Sequence, residues 1–409
     1  MAAIGGSIYT ETDEMINGVK VTLDGTEVDS EITGNDGGYA FPEMVVGGSY
    51  SVVPDKEDDA INGVSTLDLV LIQRHILGIQ EFDSPYKLIA SDVNIDGKIS
   101  ATDLLDLRKV ILGKKNDFAG NKEWRFIDSG YQFADLETAV SEPFPENYDI
   151  TPLSEDMVID FTGVKIGDVN NTVEFNRAQA PTTRSRETMS LKVSDNTLAE
   201  GQTYSIVIRS DRNIDLMGMQ STIHLDPESV EIIEINGLGL DLGADDINYN
   251  EVENGLLPFI WSQPEGQNLN NGQDLVEIIV SAINTVKVSD VISLGVGNMS
   301  AEAYDKAENV LDLSLTIEGD DNPGFNLTQN RPNPFIETTT VSFNLPADMS
   351  ATFSLYNVSG KLIKTVKRDY NKGINTLEIK RSELDNAGIY YYQIEAGSYI
   401  ASKKMVLLN

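Results

Sequence analysis

The sequence predicts a mainly β, multidomain protein in which antiparallel β-sandwiches are joined to one small α-helical module. Three observations carry that prediction. Short alternating apolar segments, bounded by Gly, Asn and Asp, recur along most of the chain. Between residues 64 and 113 the apolar spacing turns helical, and it does so twice. With 409 residues and no cysteine, the chain has room for three to five modules of ordinary size and no disulfide to staple them.

Residues 1–54 hold four strand-like segments, at 7–10, 19–23, 39–41 and 50–53. Asn35-Asp36-Gly37 reads as a tight turn between two of them rather than as a ligand set. The order Gly6-x-Ile8, Gly18-Val-x-Val-x-Leu23, Gly34-x-Asp-Gly-x-Tyr-x-Phe41 and Gly47-x-x-Tyr-x-Val52 resembles the carboxypeptidase-regulatory-like and Cna-B-like β-sandwiches, stalk modules of surface proteins.

Residues 55–114 are organised by Asp92-Val-Asn94-Ile-Asp96-Gly97-Lys98-Ile-Ser100-Ala101-Thr102-Asp103. Oxygen-bearing side chains fall at loop positions 1, 3, 5, 9 and 12, with Gly at 6 and a branched aliphatic at 8. That is the spacing of an EF-hand calcium loop, in which position 7, here Lys98, serves through its main chain. Calcium is a hard cation that takes six to eight oxygens at about 2.3 to 2.6 Å, and Gly97 allows the sharp turn that aims them at one centre. Asp103 stands where an EF-hand has Glu, which requires its helix to sit closer.

The unit is repeated. Val64-Ser65 through Leu77-Gly78 aligns with Ile99-Ser100 through Leu112-Gly113 at an offset of 35 residues. Leu69, Ile72 and Ile76 match Leu104, Leu107 and Ile111 as a helical stripe, and Gly78 and Gly113 fall at C-cap positions. In the first copy Asn62-Gly63 stands one residue nearer its terminal Asp68, and position 1 falls on Glu57 or Asp58. Its ligand candidates are Asp58, Asp59, Asn62, Ser65 and Asp68, with weaker binding or a bulged loop expected. Two such units in about sixty residues resemble a dockerin domain. The resemblance implies calcium (Ca2+) as cofactor and a cohesin-like partner, met through loop positions 10 and 11 and the following helix. Here those positions are Thr66, Leu67, Ala101 and Thr102.

Residues 115–176 read as an irregular connecting segment anchored by aromatics, with a turn at Pro143-Phe-Pro-Glu146. Asp168-Val-Asn170 repeats the opening Asp92-Val-Asn94 without the rest of the loop. A strand end and turn is the plainer reading; an added ligand or a clasp on the calcium module is the sharper one. Residues 179–187 form a linker open to proteases. Residues 189–319 are strand-like throughout and indicate a sandwich or jelly roll. Gly201-x-x-Tyr-x-Ile206, the Leu225-Asp-Pro-Glu228 turn and Asn271-Gly272 before Leu275-Val-Glu-Ile-Ile279 look like a cohesin domain.

A second linker at 320–324 precedes a last sandwich, 324–409. Its Pro332-Asn-Pro334-Phe335 opening, Gly388-Ile-Tyr-Tyr-Tyr392 and final Lys403-Lys404 resemble the type A C-terminal sorting domain of the type IX secretion system. The two prolines fix an extended lead-in. The resemblance implies export by that machinery to the outer cell surface or the medium, and usually removal of the domain. No basic-then-apolar leader is present, so the chain is expected to be a mature fragment whose leader is missing.

Charge agrees with such a destination. The chain has 65 acidic against 30 basic residues, and the surplus lies before residue 325. After it, 10 Lys/Arg stand against 7 Asp/Glu. So acidic a body excludes nucleic acid as a partner, because phosphates need clustered cations. No apolar run reaches the roughly 20 residues of a transmembrane segment. Catalysis has no foothold: the two histidines, His75 and His224, read as solvent-facing or structural, and no nucleophile elbow, phosphate loop or zinc helix occurs. The chain therefore reads as non-enzymatic. Docking within or between chains is the first expectation, the second mode implying self-association into filaments. A carbohydrate-binding appendage using Trp124 or Trp261, and a purely structural calcium-rigidified stalk, are the alternatives.

Overall fold

The computed structural model describes all residues except 58–59, 119, 176–185, 298, 319–324, 328–329, 331, 358–360, 385, 398 and 409. The described chain divides into two compact units, one spanning Met1–Ala178 with Arg184–Thr316 and the other Ile317–Asn409. Both linker expectations, at 179–187 and 320–324, fall mainly outside the described residues. Arg186 and Glu187 are described, and both are already tied to the following sandwich, by ion pairs with Glu302 and Arg212.

The first sandwich is built from β1 (Ala2–Tyr9), β2 (Lys20–Gly25), β3 (Asp29–Ile32), β4 (Gly38–Met44), β5 (Tyr50–Asp55), β6 (Trp124–Asp128), β7 (Tyr148–Ile150), β8 (Met157–Val158) and β9 (Phe161–Lys165). One sheet runs β4-β1-β9-β6 with β8 also on β1, and the other runs β3-β2-β5-β7. The expected boundary at residue 54 is thus corrected, and so is the irregular connector over 115–176: four strands of the sandwich come from it. β9 pairs parallel with β1, and β7 pairs antiparallel with β5. The core needs both halves, since Ile4, Ile8, Val21 and Phe41 pack with Trp124, Phe126, Ile150 and Phe161. Sequence patterning missed β9 (Phe-Thr-Gly-Val-Lys) because it is buried at every position, which erases the period-2 signal, and β7 and β8 are only three and two residues long.

Between β5 and β6 the chain leaves the sandwich and forms α1 (Thr66–Ile76), α2 (Pro85–Ser91) and α3 (Ala101–Ile111). The helical module is therefore an insertion in the first sandwich. Helices α1 and α3 begin identically. Ser65 and Ser100 occupy the N-cap and close capping boxes with Asp68 and Asp103. Gly78 and Gly113 follow the C-caps at φ +67° and +68°.

The second sandwich comprises β10 (Thr188–Ser194), β11 (Thr197–Leu198), β12 (Thr203–Ser210), β13 (Ile214–Leu225), β14 (Val230–Gly237), β15 (Leu256–Leu269), β16 (Asp274–Ala282), β17 (Val286–Lys287), α4 (Val288–Val291), β18 (Ile292–Leu294), β19 (Glu302–Asp305) and β20 (Val310–Glu318). Its main strand order is β14-β16-β12-β10-β20-β19-β13-β15. The longest strand, β15, carries Pro258 and Pro264. It lies at the end of the order, where its far side has no ladder to complete. Alternation holds in β10, β12 and β16 but fails in β13, which is buried at every residue from Leu216 to Ile223. A strand buried on both faces has a partner on each.

The second unit is a smaller sandwich of β21 (Asn326–Leu327), β22 (Thr338–Leu345), β23 (Met349–Asn357), β24 (Leu362–Tyr370), β25 (Gly373–Lys380), β26 (Gly388–Ala396) and β27 (Tyr399–Leu407), in sheets β21-β22-β25 and β24-β23-β26-β27. Its lead-in is clamped to the last strand. Phe335 is buried, its N–H donates to Val406 and its carbonyl accepts from Leu408. The Asn333–Pro334 bond is cis, and the Asn333 side chain accepts from the Val406 N–H. Gly388 opens β26 at φ +145°, while Lys403 and Lys404 are exposed. Among the described residues no helix is long and apolar enough to cross a membrane.

Candidate metal centre and docking face

The loop 92–103 closes as its spacing demands. Carboxylate oxygens of Asp92, Asp96 and Asp103 lie within 4.8 Å of one another. Main-chain N–H groups hold them there: Asp96 and Gly97 donate to the two oxygens of Asp92 at 3.1 and 3.0 Å, and Asn94 and Ser100 donate to those of Asp103 at 3.3 and 2.9 Å. Ile95 adopts φ +57° and Gly97 φ +76°, the left-handed residues that curl the loop. Lys98 N–H donates to Asp96, and the Ser100 hydroxyl bonds Asp103. Asp92 and Asp103 are buried. Burial pushes both carboxyls up, more than the loop N–H groups and the neighbouring acids alter them. Among the described residues no Lys or Arg forms an ion pair with this triad. Three converging carboxylates and an amide oxygen, with buried charge and no ion-paired cationic side chain, fit a hard divalent cation. When bound, that ion would supply positive charge at the point where the three carboxylates meet.

The first loop differs. Asp58 and Asp59 lie outside the described residues. Asn62, expected as a ligand, gives its side chain to the main chain of Glu174, donating at 3.0 Å and accepting at 3.2 Å. Asp68 accepts from Ser65 N–H at 2.9 Å, as Asp103 does from Ser100. Its other oxygen accepts from Val169, a hundred residues downstream, at 2.9 Å. Asp168, on the same strap, takes N–H bonds from Asn170, Thr172 and Val173. Both Asp68 and Asp168 are buried. Burial raises Asp68 well above the usual carboxylate range, with the Asp168 charge adding to it, and pushes Asp168 up to about 6.

The same helices form a contact face. Helix α1 lies on the outer side of β13 and β15, and Met217, Ile260, Met299 and Tyr304 join the module's residues in one apolar cluster. Thr66 N–H, free at the helix start, donates to Gln220 Oε1 at 2.7 Å. Arg74 reaches the Pro264 carbonyl at 3.3 Å. From α3, Arg108 pairs with Asp246 at 2.8 Å, and Asn248 donates to the Leu112 carbonyl at 2.9 Å. Of the four residues expected at a partner interface, Thr66 and Leu67 are buried and Ala101 and Thr102 are exposed.

His75 accepts the Phe82 N–H at 3.1 Å and stacks on that ring, and the His224 ring sits 3.4 Å from the Ser293 hydroxyl. Trp124 and Trp261, the residues of the carbohydrate alternative, are both core residues.

Residues 59–112 match the family described as the dockerin type I domain, and residues 331–408 match the secretion system C-terminal sorting domain. The chain thus carries a dockerin type I domain and a sorting domain for type IX secretion, and it is exported to the cell surface or the extracellular space. No curated protein matches the chain. Solved structures similar to it include a type I cohesin–dockerin complex from Clostridium thermocellum, at 13% identity over 33% of this chain and 93% of the other, TM-score 0.26. A cohesin module of a family 33 glycoside hydrolase from Clostridium perfringens matches at 14% identity over 32% and 99%, TM-score 0.25. A type II cohesin dyad from a scaffoldin of Acetivibrio cellulolyticus matches at 9% over 52% and 89%, TM-score 0.26. Scores this low fix neither fold nor partner.

Proposed function

We propose that this chain is a calcium-dependent, non-catalytic interaction region of an exported protein, whose dockerin module docks on the chain's own cohesin-like sandwich. The calcium ligands of the loop 92–103 are Asp92, Asn94, Asp96, the Lys98 carbonyl, Ser100 and Asp103. The observation that carries the docking is the two-sided burial of β13, with Gln220 on the Thr66 N–H at the start of α1. An amide left over at a helix start is thereby satisfied by a side chain of the other module. Arg108 on Asp246 and Asn248 on the Leu112 carbonyl anchor the far end.

The absence of native cysteine supplies the test. A Cβ on Gly218 would lie 3.2 Å from Thr66 Cγ2, so Thr66→Cys with Gly218→Cys places two thiols across the face. Under mild oxidation in calcium, the pair is expected to crosslink within a monomer, seen as a mobility shift on a non-reducing gel, and to do so more slowly in chelator. Disulfide-linked dimers and higher species in place of the shifted monomer would mean docking between chains, and no crosslink at all would end the docking reading.

A further inference from the structure

The first copy of the repeated loop lacks the spacing of the second, and a segment with the opening of that second loop lies elsewhere in the chain. The strap 168–173 shares Asp-Val-Asn and much of the backbone pattern of the loop 92–97, although the terminal aspartate is met one residue earlier, by Val169 N–H on Asp68 where Asn94 N–H meets Asp103. Thr172 N–H donates to Asp168 Oδ1 at 3.1 Å as Asp96 N–H does to Asp92 Oδ1, each four residues on. Val173 donates to Asp168 Oδ2 at 2.9 Å as Gly97 does to Asp92 Oδ2, each five residues on. The fourth position is left-handed in both, at φ +56° for Asn171 and +57° for Ile95. Where the loop 92–103 continues into Lys98, the strap meets Gly63, whose carbonyl is 2.9 Å from the Thr172 hydroxyl; that hydroxyl is 2.7 Å from Asn170 Oδ1. Gly63 is at φ +80°, and a Cβ there would come within 2.6 Å of the Val173 main chain, so the two segments close on each other only because this residue has no side chain. Ser65 and Asp68 complete the second half in the register of Ser100 and Asp103.

We infer that Asp168, Asn170, Thr172, the Gly63 carbonyl, Ser65 and Asp68 form a discontinuous calcium site, which staples the end of the first sandwich to the start of α1. The inference rests on the calcium reading of the dockerin domain given above. The donor set suits the ion: two buried carboxylates from segments about a hundred residues apart, with neutral oxygens at positions 3, 5 and 7. It carries two carboxylates where the loop 92–103 carries three, so its affinity should be lower, roughly tenfold or more, since ligand charge count tunes such sites.

Calorimetric titration of the chelator-stripped full chain with calcium chloride tests this. Two ions per chain are expected; Asp168→Asn should leave the stronger one and Asp92→Asn the weaker one. If Asp168→Asn proves misfolded by circular dichroism, hydrogen exchange on the wild type serves in its place, and should show the Val169, Thr172 and Val173 amides slowed by calcium. A single ion, abolished by Asp92→Asn with those three amides unmoved by calcium, would overturn the inference and leave the loop 92–103 intact. No calcium bound at all would end both.

Discussion

At the residue scale, buried oxygen atoms decide what the module can do. Asp92 and Asp103 are 2% and 0% exposed, and burying two carboxylates is costly unless a cation joins them. In wild type, calcium at 100 to 1,000 times its dissociation constant should add about 3 to 4 kcal/mol of stability. Asp92→Asn with Asp103→Asn should remove the part of that increment owed to this loop, read as a smaller calcium-induced rise in the thermal midpoint. His75 gives a separate test. Burial lowers its pKa from 6.5, with Glu81 opposing. A histidine whose folded pKa is depressed stabilises the fold above its unfolded value, and that contribution is lost as pH falls through 6.5 toward the folded pKa. Protonating the ring also costs its acceptor role for the Phe82 N–H. An NMR titration of the two histidines should therefore find His75 below 6.5, and His75→Gln should flatten stability in that window.

At the scale of elements, α1 and β13 explain each other. A strand whose outer face is covered loses the alternation that marks strands, and β13 shows that loss from Leu216 to Ile223. Gln220→Ala would leave the Thr66 N–H buried and unpaired, at a cost of about 1 to 3 kcal/mol. Urea unfolding in calcium should show the lower midpoint, and amide exchange at the start of α1 should speed up. Helices α1 and α3 were legible in sequence: the stripe Leu69, Ile72, Ile76 and its repeat Leu104, Leu107, Ile111, with Gly78 and Gly113 at the ends, mark them, whereas nothing in that pattern marks α2. Strand β9 was not legible, because burial at every position removes the period, and β7 and β8 are only three and two residues long.

At the scale of the whole molecule, the insertion of the module between β5 and β6 makes the first sandwich a closure over distance. β1 needs β9, and β5 needs β7. A chain ending at residue 115 would leave Ile8, Val52 and Phe41 without Trp124, Phe126 and Ile150. Such a chain is expected to lack a cooperative thermal transition for the sandwich, whereas one ending at 175 should keep it; circular dichroism melting distinguishes the two. The dockerin module would thus be held at both of its ends by one rigid body, a frame suited to fixing the direction in which α1 presents itself.

By itself the sequence determined the local chemistry: the twelve-residue acidic loop, its 35-residue repeat, the helices that follow, the mainly β character and the sorting domain. Each of these is written in spacings of a few residues, where chain connectivity alone brings the groups together. What only the tertiary structure decided is which distant segments meet. Asp168-Val-Asn170 repeated the opening of a loop in plain sight, yet its place against Gly63 and Asp68 depends on β9 returning beside β1. The face that α1 covers is decided in the same way. Burial in a packed core selects such partners through shape and unsatisfied polar groups, and neither leaves a period in the sequence.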